Sequence, residues 1–132
     1  MKKNMKGFTL IELLAVIVIL AVIALIATPI IMNVINDAKK GANKDATFGF
    51  AKAVETSIAL KMIDCQTLKV ESIDKRDITI TGCDVTTLPI DYKGTAPTSV
   101  DVDFNEATGK LTGNVTFGSN TFNVETGAEV VS

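Results

Sequence analysis

Hydrophobic and polar positions divide this chain into three regimes. From Leu13 to Ile35 no residue is ionisable, and Leu, Ile, Val and Ala dominate. As a helix rising ~1.5 Å per residue, this run is about 35 Å long, enough to cross a hydrocarbon core of ~30 Å. From Asp37 to Asp64 the apolar residues thin to a stripe. Ala51, Val54, Ile58, Met62 and Cys65 recur at helical spacing, and Lys44, Lys52, Glu55 and Lys61 fall off that stripe. The stripe predicts a helix that continues past the apolar run and covers a sheet with one face. Gly41 and Gly49 each weaken it by about 1 kcal/mol relative to alanine. Lys52 and Glu55 have the spacing of a local ion pair.

The rest of the chain alternates with period two. Asp77 to Thr81 alternates polar and apolar and stops at Gly82. Val100, Val102 and Phe104 alternate with Asp101 and Asp103. Lys110 to Phe117 carries Leu111, Val115 and Phe117, with Gly113 a candidate bulge. Asn120 to Val124 alternates again through Phe122. Turn clusters separate these runs at Asn105–Gly109 and at Gly118-Ser119-Asn120, the latter a candidate tight hairpin. Leu88 to Pro97 carries two prolines and reads as an extended connection. The predicted fold is α+β: one long N-terminal helix, apolar first and amphipathic after, packed on a small antiparallel sheet.

Two details of the apolar run carry chemistry. Glu12 stands at its mouth, where a carboxylate costs about 2–3 kcal/mol on insertion scales and less near the interface. The positive end of the helix dipole offsets part of that. Pro29 lies inside the run, removes a backbone donor and predicts a kink or local break, with Thr28 pushed from helical geometry. Lys2, Lys3 and Lys6 precede the run with no acid among them. The positive-inside rule therefore keeps the amino terminus cytoplasmic and exports the chain beyond Ile35, although Lys39, Lys40 and Lys44 beside Asp37 and Asp45 weaken that bias. A cleaved secretory signal ending near Val22-Ile23-Ala24 fits less well, because the apolar run continues beyond Ala24 and Glu12 interrupts its start.

Gly7-Phe8-Thr9-Leu10-Ile11-Glu12, after a basic leader and before a long apolar helix, resembles the class III leader of type IV pilins and pseudopilins. Pro29 also sits where many members of that family carry a proline. The resemblance implies cleavage between Gly7 and Phe8 by a prepilin peptidase, and methylation of the new Phe8 amine. It implies a homo-oligomeric helical filament with apolar helices in its core. Assembly residues would be Phe8, Glu12 and Pro29, and the partners an assembly platform and minor pilins. The cut removes three lysines and creates an amine at Phe8, one helical turn from Glu12. In a filament Glu12 could instead meet the Phe8 amine of a neighbouring subunit. The expected organisation is a leader over 1–7, a transmembrane and filament-core half-helix over 8–36, an amphipathic half over 37–64 and a β headgroup over 65–132. The expected location is the cytoplasmic membrane as a single-pass precursor, then an extracellular pilus. Motility, adhesion, secretion and DNA uptake are tasks of whole machines of this kind.

Composition supplies little competing chemistry. Cys65 and Cys83 are the two cysteines; outside the cytoplasm a disulfide between them is favoured, with two buried free thiols as the alternative. There is no histidine, so the commonest general base and metal ligand is missing, and no enzyme, cofactor or metal site is expected. Gly109-Lys110 lacks the earlier glycine of a phosphate loop, and Leu111 replaces its Ser or Thr. Asp101, Asp103 and Asn105 start an EF-hand-like spacing that fails at Glu106 and Thr112. With 13 basic and 15 acidic side chains, made more acidic by loss of the leader, broad nucleic-acid binding is disfavoured. The expected function is that of a structural subunit, the major one, of a type IV pilus. A pseudopilin of a secretion or competence system is the neighbouring alternative, and a single-span membrane-anchored ligand-binding protein the alternative of another class.

Overall fold

The computed structural model describes Gly7 and residues 9–130. Among these, one helix, α1, runs Leu10–Asp64, and seven strands come after it. Contacts divide the chain between Ala38 and Lys39 into two compact units.

In the first unit α1 is helical throughout, including Thr28 and Pro29. The expected local break is absent. Proline removes a single N–H, and the Thr28 hydroxyl donates to the Ala24 carbonyl at 2.6 Å in the turn before it. Transmembrane helices tolerate proline through such side-chain and backbone adjustments. Every large apolar side chain from Leu10 to Ile35 is uncovered, from 43% exposed at Ile35 to 85% at Leu10. The helix is long and apolar enough to cross a membrane.

In the second unit α1 turns a buried face of Thr47, Phe50, Ala51, Val54 and Ile58 to the core. Met62 and Cys65 complete the predicted stripe as half-buried neighbours. Phe50 joins it because residues 47, 50, 51, 54 and 58 share one helical face. Thr47, fully buried, donates its hydroxyl to the Asn43 carbonyl at 2.9 Å.

The expected single sheet is two antiparallel sheets. Strands β1 (Lys69–Ile73), β2 (Asp77–Thr81) and β3 (Thr87–Pro89) form one, in the order β1-β2-β3. Strands β4 (Ser99–Asn105), β5 (Lys110–Phe117), β6 (Asn120–Asn123) and β7 (Glu129–Val130) form the other, in the order β4-β5-β6-β7. Pro89 ends β3, and the proline-bearing connection after it separates the sheets. Tyr92 ties this connection to the helix: its hydroxyl donates to the Ala46 carbonyl at 3.4 Å and its ring meets Phe50 edge-on at 5.8 Å. Burial pushes the Tyr92 phenol above its ordinary pKa.

The bulge lies elsewhere than expected. β4 and β5 pair in unbroken register through Val102 and Gly113, whereas β1 and β2 slip between Val70 and Ser72. Gly113 has a different reason to be glycine. Its φ is 114°, and a Cβ there would run into the Asp101 carbonyl oxygen and the Val102 Cα. Both obstacles are backbone atoms of the neighbouring strand and cannot swing aside. Gly113→Ala should destabilise the headgroup by about 2–3 kcal/mol, read as a lower melting temperature. The β5–β6 hairpin closes through Gly118 and Ser119, with Phe117 facing Asn120. Of these two turn residues only Gly118 has positive φ, 63°, the pattern of a type II′ turn.

β5 outruns β6, leaving the Leu111 N–H without a strand partner. Glu55 fills that place from the helix: its Oε1 accepts the Leu111 N–H at 3.0 Å, and its Oε2 lies 3.9 Å from Lys110 Nζ. The expected Lys52–Glu55 pair does not form, because the carboxylate is turned to the sheet. Leu111 is 2% exposed, so losing the acceptor strands a buried donor. Glu55→Ala should cost about 1–3 kcal/mol in chemical denaturation, and Glu55→Gln, which keeps an acceptor, clearly less.

Candidate processing and assembly site

Gly7 is exposed, with open space around its Cα. Phe8 lies outside the described residues. Thr9 is the N-cap of α1, and its carbonyl accepts the first helical bond, from the Leu13 N–H at 3.1 Å.

Thr9 and Glu12 hold each other. The Thr9 N–H donates to Glu12 Oε2 at 3.1 Å, and the Glu12 N–H donates to Thr9 Oγ1 at 3.2 Å. This reciprocal arrangement is a capping box, in which two orphan donors of the first turn find acceptors. The carboxylate therefore does more than face the helix dipole. One oxygen is committed to the backbone; no hydrogen bond within the chain engages Oε1 among the described residues. Thr9 joins the site through the structure, and the Thr-x-x-Glu spacing ahead of an apolar run is its signal in the sequence.

Pro29 sits well inside α1, several turns from Glu12, so the structure does not bring these two assembly candidates together. Cys65 and Cys83 are joined as a disulfide, with Cα atoms 6.0 Å apart. Cys65 comes directly after the last residue of α1, and Cys83 lies two residues beyond the end of β2. The Thr67 hydroxyl donates to the Gly82 carbonyl at 2.6 Å, and Lys61 pairs with Asp84 at 3.3 Å, so both flanks of the bridge are also tied. The Lys61 ammonium, by hydrogen bond and charge, holds the Asp84 carboxyl below its ordinary pKa.

Asp101, Asp103 and Asn105 all lie on the exposed face of β4. The Asn105 amide oxygen is spent on its own turn, accepting the Ala107 and Thr108 N–H groups. Among the described residues no group of three or more His, Cys, Asp or Glu side chains is placed to hold a metal ion.

Residues 2–28 match the family model of the prokaryotic N-terminal methylation motif. The chain carries the class III signal peptide of type IV pilins. No curated protein and no solved structure matches the chain significantly. The methylation motif spans the leader from residue 2, the capping box and the apolar run as far as Thr28. It supports a type IV pilin-like or pseudopilin-like precursor and suggests a structural rather than a catalytic protein. Such a signal implies processing by prepilin peptidase and entry into a filament. Together with the uncovered apolar helix it fits a membrane-anchored precursor.

Proposed function

We propose that this chain is a major structural subunit of an extracellular type IV pilus. The observation that carries this reading is the methylation motif overlapping a stretch of α1, Leu13 to Ile35, that has no ionisable residue and whose apolar side chains are left uncovered among the described residues. A surface of that kind needs lipid before assembly and neighbouring helices after it. The leader over 1–7 is removed between Gly7 and Phe8, and the Phe8 amine is methylated. The half-helix over 8–36 anchors the precursor with its amino terminus in the cytoplasm and later fills the filament core. The remaining helix and the β headgroup, stapled by Cys65–Cys83, form the exported outer part.

Filaments sheared from cells, imaged by electron microscopy and mapped by mass spectrometry, test this. The expected result is a chain beginning at N-methylated Phe8 as the bulk component. A pool that keeps Met1 and stays wholly in the membrane would instead support a single-span anchored protein. Short, scarce fibres dependent on a secretion or uptake system would move the assignment to a pseudopilin.

A further inference from the structure

Three open grooves meet at the connection between the two sheets, and Tyr92 and Gly94 line all of them. The first, about 470 Å³, lies between α1 and the β5–β6 turn, with Lys39, Asn43, Thr95 and Ser119 on its walls. The second, about 460 Å³, carries Lys52, Thr56 and Lys93. The third, about 310 Å³, carries Lys75 and Arg76 from the β1–β2 turn. Five exposed cations thus surround one connection, and the single carboxylate lining the grooves is Asp91. Asp74 and Asp77 flank Lys75 and Arg76 in the chain but line none of the three, and Asp74 Oδ1 accepts the Lys75 N–H at 2.7 Å. Among the described residues Lys40, Lys61 and Lys110 have carboxylate partners, whereas these five cations do not. The chain as a whole has more acids than bases, 15 against 13, so the clustering is local. Grooves lined by one sign of charge concentrate ligands of the other.

The surface is also held in place. Tyr92 fastens the connection to α1 through Ala46 and Phe50, and the Ile90 N–H donates to the Arg76 carbonyl at 2.9 Å. A preformed surface loses little to ordering when it binds. Hydroxyl and amide side chains share the grooves with the cations, so the fitting ligand carries hydroxyls as well as negative charge. Base stacking needs a free aromatic face. Tyr92, the aromatic common to the grooves, is half-buried, with its ring and its hydroxyl both engaged. Three grooves around one connection suit a chain of repeating anions better than one small anion. We infer that this surface binds an acidic polysaccharide, with its carboxylates on the five cations and its hydroxyls on Asn43, Thr56, Thr95 and Ser119. The inference concerns the second unit alone and stands whether or not the chain enters filaments.

Titration of the full chain in neutral detergent with polygalacturonate, followed by biolayer interferometry, tests this surface. The expected result is saturable binding that weakens as salt rises. Neutral dextran should not bind, and polyglutamate of equal charge should bind less tightly. Lys52→Gln with Lys93→Gln, and Lys75→Gln with Arg76→Gln, should each weaken binding about threefold or more, and all four together about tenfold or more. Lys44→Gln with Lys69→Gln removes the same charge as either pair, from exposed positions outside the three grooves, and should leave binding unchanged. All of these changes are at exposed side chains, so the variants should melt like the native chain. Absence of binding to polygalacturonate, equal losses from the groove pairs and the control pair, equal affinity for polyglutamate, or tighter binding of DNA would each overturn the inference.

Discussion

Glu12→Val is expected to leave the cut between Gly7 and Phe8 intact and to abolish filaments. If the filament proposed above pairs Glu12 with a neighbour's Phe8 amine, two losses occur together in this variant, and their sizes separate them. The capping box gives up its reciprocal bond with Thr9, a loss of about 0.5–2 kcal/mol in helix stability. A carboxylate that pairs with a neighbour's Phe8 amine inside an apolar core gives up far more. Removing one partner of a buried pair costs about 3–5 kcal/mol, or roughly 10²- to 10³-fold in subunit affinity. Glu12→Gln isolates the second loss. Glutamine serves the capping position as well as glutamate does, but carries no charge. Glu12→Gln should therefore keep the helix start and still fail to assemble. Thr9→Val, which removes only the hydroxyl, should weaken assembly modestly, and Thr9→Ser, which restores it, should assemble normally. The readouts are the mass of the mature chain and the quantity of sheared filaments. Normal filaments from Glu12→Gln would show that the carboxylate serves the cap and not an intersubunit pair.

The contrast between these variants also marks how far the sequence is legible. The processing motif is linear, so the resemblance of residues 7–12 to a class III leader is enough to name Gly7, Phe8 and Glu12 as candidates. Thr9 is just as legible, through its distance from Glu12. Strands β2 and β5 are legible because their alternation is clean and glycine or turn residues bound them. β1 is not: the register slip between Val70 and Ser72 destroys the period-two signal. β3 and β7, with three and two residues, are too short to show a period. The partition into two sheets is tertiary information, since each strand's own pattern says nothing about which edge it joins. Gly113 looks like a bulge because a glycine within a strand suggests one, whereas its actual constraint is the Asp101 backbone on the next strand. The Glu55–Leu111 bond joins residues 56 apart in sequence, and no local pattern announces it. At Pro29 the local rule's stronger outcome, a break, does not occur, since a helix this long continues past one missing bond.

The disulfide carries the second large effect. Replacing both Cys65 and Cys83 with serine should lower headgroup stability by about 3 kcal/mol, the entropic value for a loop of this length. The bridge joins residues 18 apart and encloses all of β1 and β2. In the unfolded chain it removes the freedom of that whole hairpin; in the folded chain it fixes the hairpin to the end of α1. Against a typical total of ~5–15 kcal/mol, such a loss is a large share. For a domain near this size it corresponds to roughly 10–20 °C in melting temperature. The flanking contacts cannot substitute. Lys61–Asp84 joins a half-buried lysine to an aspartate that is 83% exposed, and solvent screens such a pair. The Thr67–Gly82 bond contributes about 1 kcal/mol while the loop is closed and nothing once it has opened. The processed full chain in detergent, melted with and without reductant and compared with the serine pair, gives the measurement. Reductant should lower the melting temperature of the native chain to that of the serine variant and leave the variant unchanged. A native chain whose melting temperature is indifferent to reduction would show that helix and sheet packing around Ile58, Ile78 and Ile80 holds the hairpin without the bridge.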